Sequence, residues 1–253
     1  MGGNGLAIAG IVLGMLGCIW SLLAVAVMLP AVQQVRSAAR RTTSMNQLRE
    51  MSLGMVNFES AHQHFPIAEP DENTTSGSKL SWRVQILPYI EEIELYDSFH
   101  HDEPWDSPHN MTLIDRMPDI FKTLGHELAS GKTMFVVPTT IVDEKNLAVK
   151  DRDGYGETIF VKGQPTRFAG ITDGTSNTIL IMQVPPESAV TWTQPTDWQF
   201  DPASPKRGIG NVYPGITLVV FADGSTHAIP ESISAEDFKK LLSKNDGHPV
   251  SIY

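Results

Sequence analysis

The densest run of potentially reactive side chains is FHHDEPWDSPHN, which places His100, His101, Asp102, Glu103, Asp106 and His109 in ten consecutive positions. Imidazole nitrogens and carboxylate oxygens bind zinc and other transition metals, so His100, His101, Asp106 and His109 are a candidate metal set. Their spacing departs from His-Glu-x-x-His, which puts two imidazoles on one helix face. An exposed loop, with Trp105 as anchor and Asp106 or Asn110 capping turns, accounts for the same residues. His62 and His64 flank Gln63 at the expected end of a helix; i and i+2 side chains point apart, so dipole contact at the C-terminus is the simpler role.

A second oxygen-rich run is DRDGYGE, where Asp151, Asp153 and Glu157 are candidate calcium ligands. Glycines stand fourth and sixth in the run, which does not reproduce the EF-hand pattern, and a hairpin turn is the simpler reading. In DGTSNT, Asp173, Gly174, Ser176 and Asn177 cluster. Ser176 as a nucleophile would need a base within reach, and no Gly-x-Ser-x-Gly elbow surrounds it. Hydrogen bonds from side chain to backbone, ordering a turn, explain the residues better. Trp82, Trp105, Trp192 and Trp198 can stack on sugars, but core packing is the default for aromatic side chains. No catalytic constellation emerges. The chain is expected not to be an enzyme and to need no cofactor, with calcium the one left open. Cys18 is the single cysteine, which excludes an intrachain disulfide and a cysteine-based zinc site.

These segments need a scaffold. Residues 135–137, 157–161, 178–184, 189–193 and 217–222 are β-branched or apolar runs between turn signals and read as strands. Asp173-Gly174 and Asp223-Gly224 are turn dipeptides. Residues 82–95 alternate apolar and charged positions at helical spacing around Pro88, giving two short helical pieces. Ser234, with Asp237 three residues on, opens a last helix over 235–243. An α+β domain over residues 63–253 results.

Residues 6–29, LAIAGIVLGMLGCIWSLLAVAVML, carry no charge. A helix of that length rises roughly 36 Å, enough to cross a hydrocarbon core of about 30 Å. Residues 1–30 are therefore expected to be a transmembrane anchor. Gly10, Gly14 and Cys18 recur every four residues, a small-residue stripe through which two such helices can associate. Beyond Pro30, Val35, Ala38, Met45, Leu48, Met55 and Phe58 fall near one face, so residues 31–62 read as an amphipathic continuation of the helix. Gly54 is the one residue there with a strong helix penalty.

Charge is unevenly spread along this plan. The formal net charge is -10, yet residues 1–35 carry none, and Arg36, Arg40, Arg41 and Arg49 precede the first acidic residue, Glu50. An acidic domain repels phosphate backbones and excludes nucleic acid as a partner. The arginines follow the apolar run closely enough to rest against anionic head groups. By the positive-inside tendency they would also hold the domain in the cytoplasm.

The stretch LPAVQQVRSAARR and the helix MNQLREMSLGMVNFESAHQHFP resemble the opening of the planctomycete prepilin-like family called domain of unknown function 1559. Further motifs follow in that family's order: SWRVQILPYIEEIELYDSF with Trp82; PWDSPHN with Pro104, Trp105 and Asp106; ITDGTSNTILIMQ with Asp173, Gly174, Ser176 and Asn177; VTWTQPTDW; and FADGSTHAI with Asp223 and Gly224. The resemblance spans roughly residues 29–253. It implies a type IV pilin-like or pseudopilin-like architecture, a long N-terminal helix packed on an antiparallel sheet. It also implies export, with the chain held by a single pass in the bacterial inner membrane, its soluble domain extracytoplasmic and other cell-envelope proteins as partners. Counting back from Pro30, Leu13 stands where prepilins carry their glutamate and Ile8 where they carry the glycine before cleavage. A permanently anchored structural or interaction protein is expected, rather than a cleaved and polymerised subunit. An anchored module for a ligand, glycan or calcium is the alternative, and a metal-dependent hydrolase a more distant one.

Overall fold

The computed structural model describes residues 3–70, 79–143, 145, 147–151, 154–210, 212–248 and 250. Within the first helix the side chains of residues 3–9, 11–12, 16–19 and 21–31 fall outside that description. Most of the apolar run 6–29 and Cys18 therefore lie beyond it, as does Asp153. Among the described residues no helix is long and apolar enough to cross a membrane.

The chain divides into two compact units, Met1–Thr42 and Thr43–Tyr253. Helix α1 is Gly3–His62. In the first unit Val35 is 69% exposed, and Ala38 and the arginines at 36, 40 and 41 are exposed too. In the second unit Leu48, Met51 and Met55 are fully buried and Phe58 nearly so, with Met45 half-buried above them. The buried stripe thus begins where the second unit offers apolar partners. Each such side chain removed from water stabilises the unit by about 1.5–3 kcal/mol. Gly54 has a packing reason: a Cβ there would lie 2.8 Å from Ile90 Cγ2, so its absence lets the 86–90 segment approach the helix. The helix ends where Gln63 turns left-handed, φ 64°, a C-terminal conformation usually taken by glycine.

Short helices α2 (Trp82–Gln85), α3 (Ile93–Ser98) and, near the end of the chain, α4 (Ala235–Leu242) complete the helical set. Ser234 caps α4 by accepting from Asp237 N, as its sequence suggested. The strands are β1 (Lys132–Thr133), β2 (Phe135–Val136), β3 (Pro138–Thr140), β4 (Phe160–Val161), β5 (Ile179–Gln183), β6 (Val190–Thr191), β7 (Trp198–Phe200), β8 (Ile216–Phe221) and β9 (Thr226–Pro230).

An antiparallel sheet runs in the order β2-β5-β8-β9. Along β8, Leu218 and Val220 enter the cluster shared with α1, while Val219 and Phe221 enter the cluster shared with Phe238, Leu241 and Leu242 of α4. That alternation is the period-two geometry of a strand buried on both faces, which is why its sequence is apolar throughout. A register shift in β5 between Ile179 and Ile181 sends Leu180 and Ile181 to the same cluster. Strands β1 and β6 form a small antiparallel pair. The architecture is α+β with antiparallel sheets, but β3 pairs in parallel with both β4 and β7, which a purely antiparallel expectation missed.

Candidate functional site

The most elaborate polar arrangement was not among the candidates. Arg83 and Asp197 are both 0% exposed, with Arg83 Nη2 donating to Asp197 Oδ1 at 2.6 Å. Trp82 Nε1 donates to Asp197 Oδ2 at 3.1 Å and Val137 N donates to Oδ1 at 3.1 Å. Arg83 also donates to Phe135 O, at 2.6 Å from Nη2 and 3.2 Å from Nε, and to Ser81 Oγ at 2.9 Å. The node joins α2, the β2–β3 connection and the turn before β7. Burial pushes the Asp197 carboxyl up and the Arg83 guanidinium down, and each opposes the other's shift through their contact. Glu69 is held above the usual carboxylate range by burial first and by Asp197 second, with Thr139 Oγ1 donating to its carboxylate at 3.2 Å. Every oxygen of Asp197 is taken by protein donors, so the arrangement clamps backbone and offers no free group for chemistry.

The histidine segment forms a surface loop stapled by Asn110. Asn110 Oδ1 accepts from His100 N at 3.0 Å, and Nδ2 donates to His100 O and Pro104 O, both at 3.0 Å. The rings of His100 and His109 stack at 3.6 Å with planes 2° apart. Stacked imidazoles point their nitrogens along parallel planes rather than at a common ion. His101 Nε2 lies 3.0 Å from Tyr96 O and His109 Nε2 2.9 Å from Ser98 O, which engages them with backbone carbonyls. Glu103 is held low by its hydrogen bonds with Ser107 and then His100. Pro104 and Asp106 are exposed, and Trp105 packs half-buried against the core, as an anchor should. Among the described residues no three His, Cys, Asp or Glu side chains gather as a metal site.

In the described part of the oxygen-rich run Tyr155 N donates to Asp151 Oδ1 at 3.0 Å, and Gly154 and Gly156 take φ values of 90° and 138°. Lysines meet the carboxylates of Asp151 and Glu157. Lys239 Nζ is 2.8 Å from Asp151 Oδ2, and Glu157 meets Lys150 at 2.7 Å and Lys244 at 3.1 Å. Burial pushes Glu157 up, but the two lysines outweigh it and hold it below the usual range.

The two Asp-Gly motifs meet. Asp223 N donates to Thr175 O at 3.1 Å and Ala222 N to Thr178 O at 3.0 Å. Gly174 has φ 100° and Gly224 φ 84°, the left-handed conformations these turns require. Asp173 accepts from Asp246 N at 2.6 Å and Gly247 N at 2.9 Å, tying the end of the chain to this corner. Burial, then the neighbouring Asp173, raises Asp246. Ser176 is exposed and Asn177 half-buried. Asp223 Oδ1 accepts from both the amide and the hydroxyl of Ser225, at 2.9 and 2.6 Å.

Trp82 and Trp192 are fully buried, Trp192 donating to Ile114 O at 2.8 Å. Trp198 is half-buried and donates to Arg207 O at 2.9 Å. His62 stacks on Phe58 at 4.1 Å, and its Nε2 lies 3.1 Å from Tyr89 Oη; its ring centre is 6.2 Å from that of His64. Gly10 and Gly14 have open space where a Cβ would sit.

An open concavity of about 340 Å³ lies between Gln47 and Glu50 on α1, Ile90 and Glu92, and Pro118–Ile120. Gln47 Nε2 donates to Asp119 O and Lys122 O at 2.9 and 2.8 Å, which leaves its Oε1 buried without a partner.

Fold and motif geometry thus define a class: an α+β unit whose recurring sequence motifs build its buried clamp, its stapled loop and its paired turns. Residues 33–151 match the family model described as "Protein of unknown function (DUF1559)", the family the motifs resemble. The match covers just under half of the chain. No curated protein and no solved structure matches.

Proposed function

We propose that the protein is a membrane-anchored, non-catalytic structural or interaction protein of the bacterial cell envelope, pilin-like in plan. The observation that carries this reading is the apolar run 6–29, followed along the same helix by exposed arginines at 36, 40 and 41 and then by a folded acidic unit. A non-catalytic role is supported by the fate of the motif residues: Trp82, Asp173 and Asp223 spend their hydrogen bonds on the fold itself. The pilin-like plan is supported by the burial of the α1 stripe 48–58 in one cluster with Leu218 and Val220 of the antiparallel sheet. The domain faces the extracytoplasmic side, as members of such a family would. Protease added to intact spheroplasts should then digest the domain while alkaline carbonate leaves the anchor in the membrane fraction. A domain that stays protected until the membrane is lysed would overturn the orientation, and release by carbonate would overturn the anchor.

A second reading, an anchored ligand-binding module, is favoured by the concavity with Glu50, Glu92, Asp119 and the unpartnered Gln47 Oε1. Its acceptors suit an amine or guanidinium. Titration with spermidine that saturates in the wild type and weakens in Gln47→Ala would support this reading; heat release without saturation would remove it.

A further inference from the structure

We propose that Arg36, Arg40 and Arg41 form a recognition site for the phosphates of anionic phospholipids. The proposal rests on the anchoring reading and adds selectivity for a lipid class to it. All three side chains are exposed. No acidic residue precedes Glu50, so no helical neighbour at i±3 or i±4 neutralises the group from within. Cations left unneutralised by their own helix are open to an anion from outside the chain.

Position selects which anion. Arg36 lies seven residues past Leu29, the end of the apolar run, a rise of roughly 10 Å, and Arg40 and Arg41 lie roughly 17 Å past it. The head-group layer adds about 5–8 Å to each side of the hydrocarbon. Helical side chains tilt toward the N-terminus, which here means back toward the bilayer, and an arginine is long enough to reach the layer from one or two turns beyond it. Val32 and Val35, 46% and 69% exposed, share a sector of about 140° with Arg36 and Arg40. Apolar side chains at the lower level with cations just above them match the order of a bilayer surface, acyl carbon first and phosphate next. The guanidinium fork donates to two phosphate oxygens at once, where an ammonium offers a point charge.

The test is the full chain reconstituted in phosphatidylcholine vesicles with trace spin-labelled phosphatidylglycerol or phosphatidylcholine. The fraction of motionally restricted label reports which lipid the protein holds. The wild type should favour phosphatidylglycerol by about threefold or more at low salt, and salt should erode the preference. In Arg36→Gln/Arg40→Gln/Arg41→Gln the preference should fall to near parity, whereas Arg49→Gln, in the folded unit, should keep it. Equal retention of both lipids by the wild type, or an unchanged preference in the triple variant, overturns the proposal. A carbonate wash of the same vesicles tests the anchor separately. A chain that washes off yet binds phosphatidylglycerol vesicles through these arginines would remove the anchor and keep the lipid site.

Discussion

The Arg83–Asp197 clamp and the His100–Asn110 loop are both polar, and both come from motif-bearing segments, yet they occupy opposite environments. The loop crowds six titratable side chains into ten positions and leaves most of them in water. The clamp contributes two charges, separated by more than a hundred residues, and buries both completely. Density of polar residues in a sequence marks solvent exposure, because a chain cannot desolvate many charges at once. An isolated charge inside an apolar run carries more structural consequence, because it must find its partner when the run is buried.

The contrast can be broken most directly at Asp197. Asp197→Ala leaves Arg83 buried without a counter-charge and should lose about 3–5 kcal/mol in urea unfolding of the detergent-solubilised chain. Arg83→Met/Asp197→Leu should lose less than either single substitution; losses that simply add would show that the two groups act independently. Next comes the staple of the loop. Asn110→Ala strands the His100 amide and two carbonyls and should cost about 1–3 kcal/mol. Hydrogen exchange should accelerate over residues 100–110 while the Val137 amide stays protected, and faster exchange at both would mean that the two regions unfold together.

Glu69 sharpens the comparison through pH. Its folded pKa lies above the unfolded reference of 4.5 because burial, then Asp197, disfavours the charge. Between those values the folded state binds the extra proton, so this contribution is complete below pH 4.5 and is lost as pH rises through the folded pKa. Glu69→Gln should therefore raise the melting temperature relative to wild type at pH 8, with the gain shrinking toward pH 4.5. A gain that grows on acidification would reverse the assignment. The smallest effect is expected where the sequence looked most reactive. His100→Ala/His109→Ala should change stability by less than about 0.5 kcal/mol. Added zinc should not raise the melting temperature of the wild type, and a zinc-dependent rise lost in the double variant would restore the metal set.

Strands with both faces buried were the easiest to read, since 178–184 and 217–222 contain β5 and β8 almost whole. The Asp-Gly turns and the Ser234 cap were equally plain, because a left-handed residue or a capping hydroxyl leaves a local signature. The strands β3 and β7 were missed: Pro138 and Trp198 open three-residue segments whose pairing is parallel and long-range, and nothing local encodes it. The clamp was missed for the same reason. Arg83 is a lone cation within WRVQIL, and its partner lies 114 positions away. Periodicity alone does not say which stretch of a helix face is covered: Leu48, Met51 and Met55 are buried, and Val35 is exposed.

The stripe on α1 also has a history in time. Ser44 shares a hydrogen bond with Tyr213, 169 positions later, and Leu48 and Met51 enter a core completed by Leu218, Val220 and Ala222. At a ribosomal rate of about 5–20 residues per second, roughly 10–35 s separate the synthesis of that stripe from the strand that covers it. Through that interval the nascent chain presents an apolar helix with nothing to pack against, an arrangement that demands either a chaperone or delayed folding until the last strands emerge.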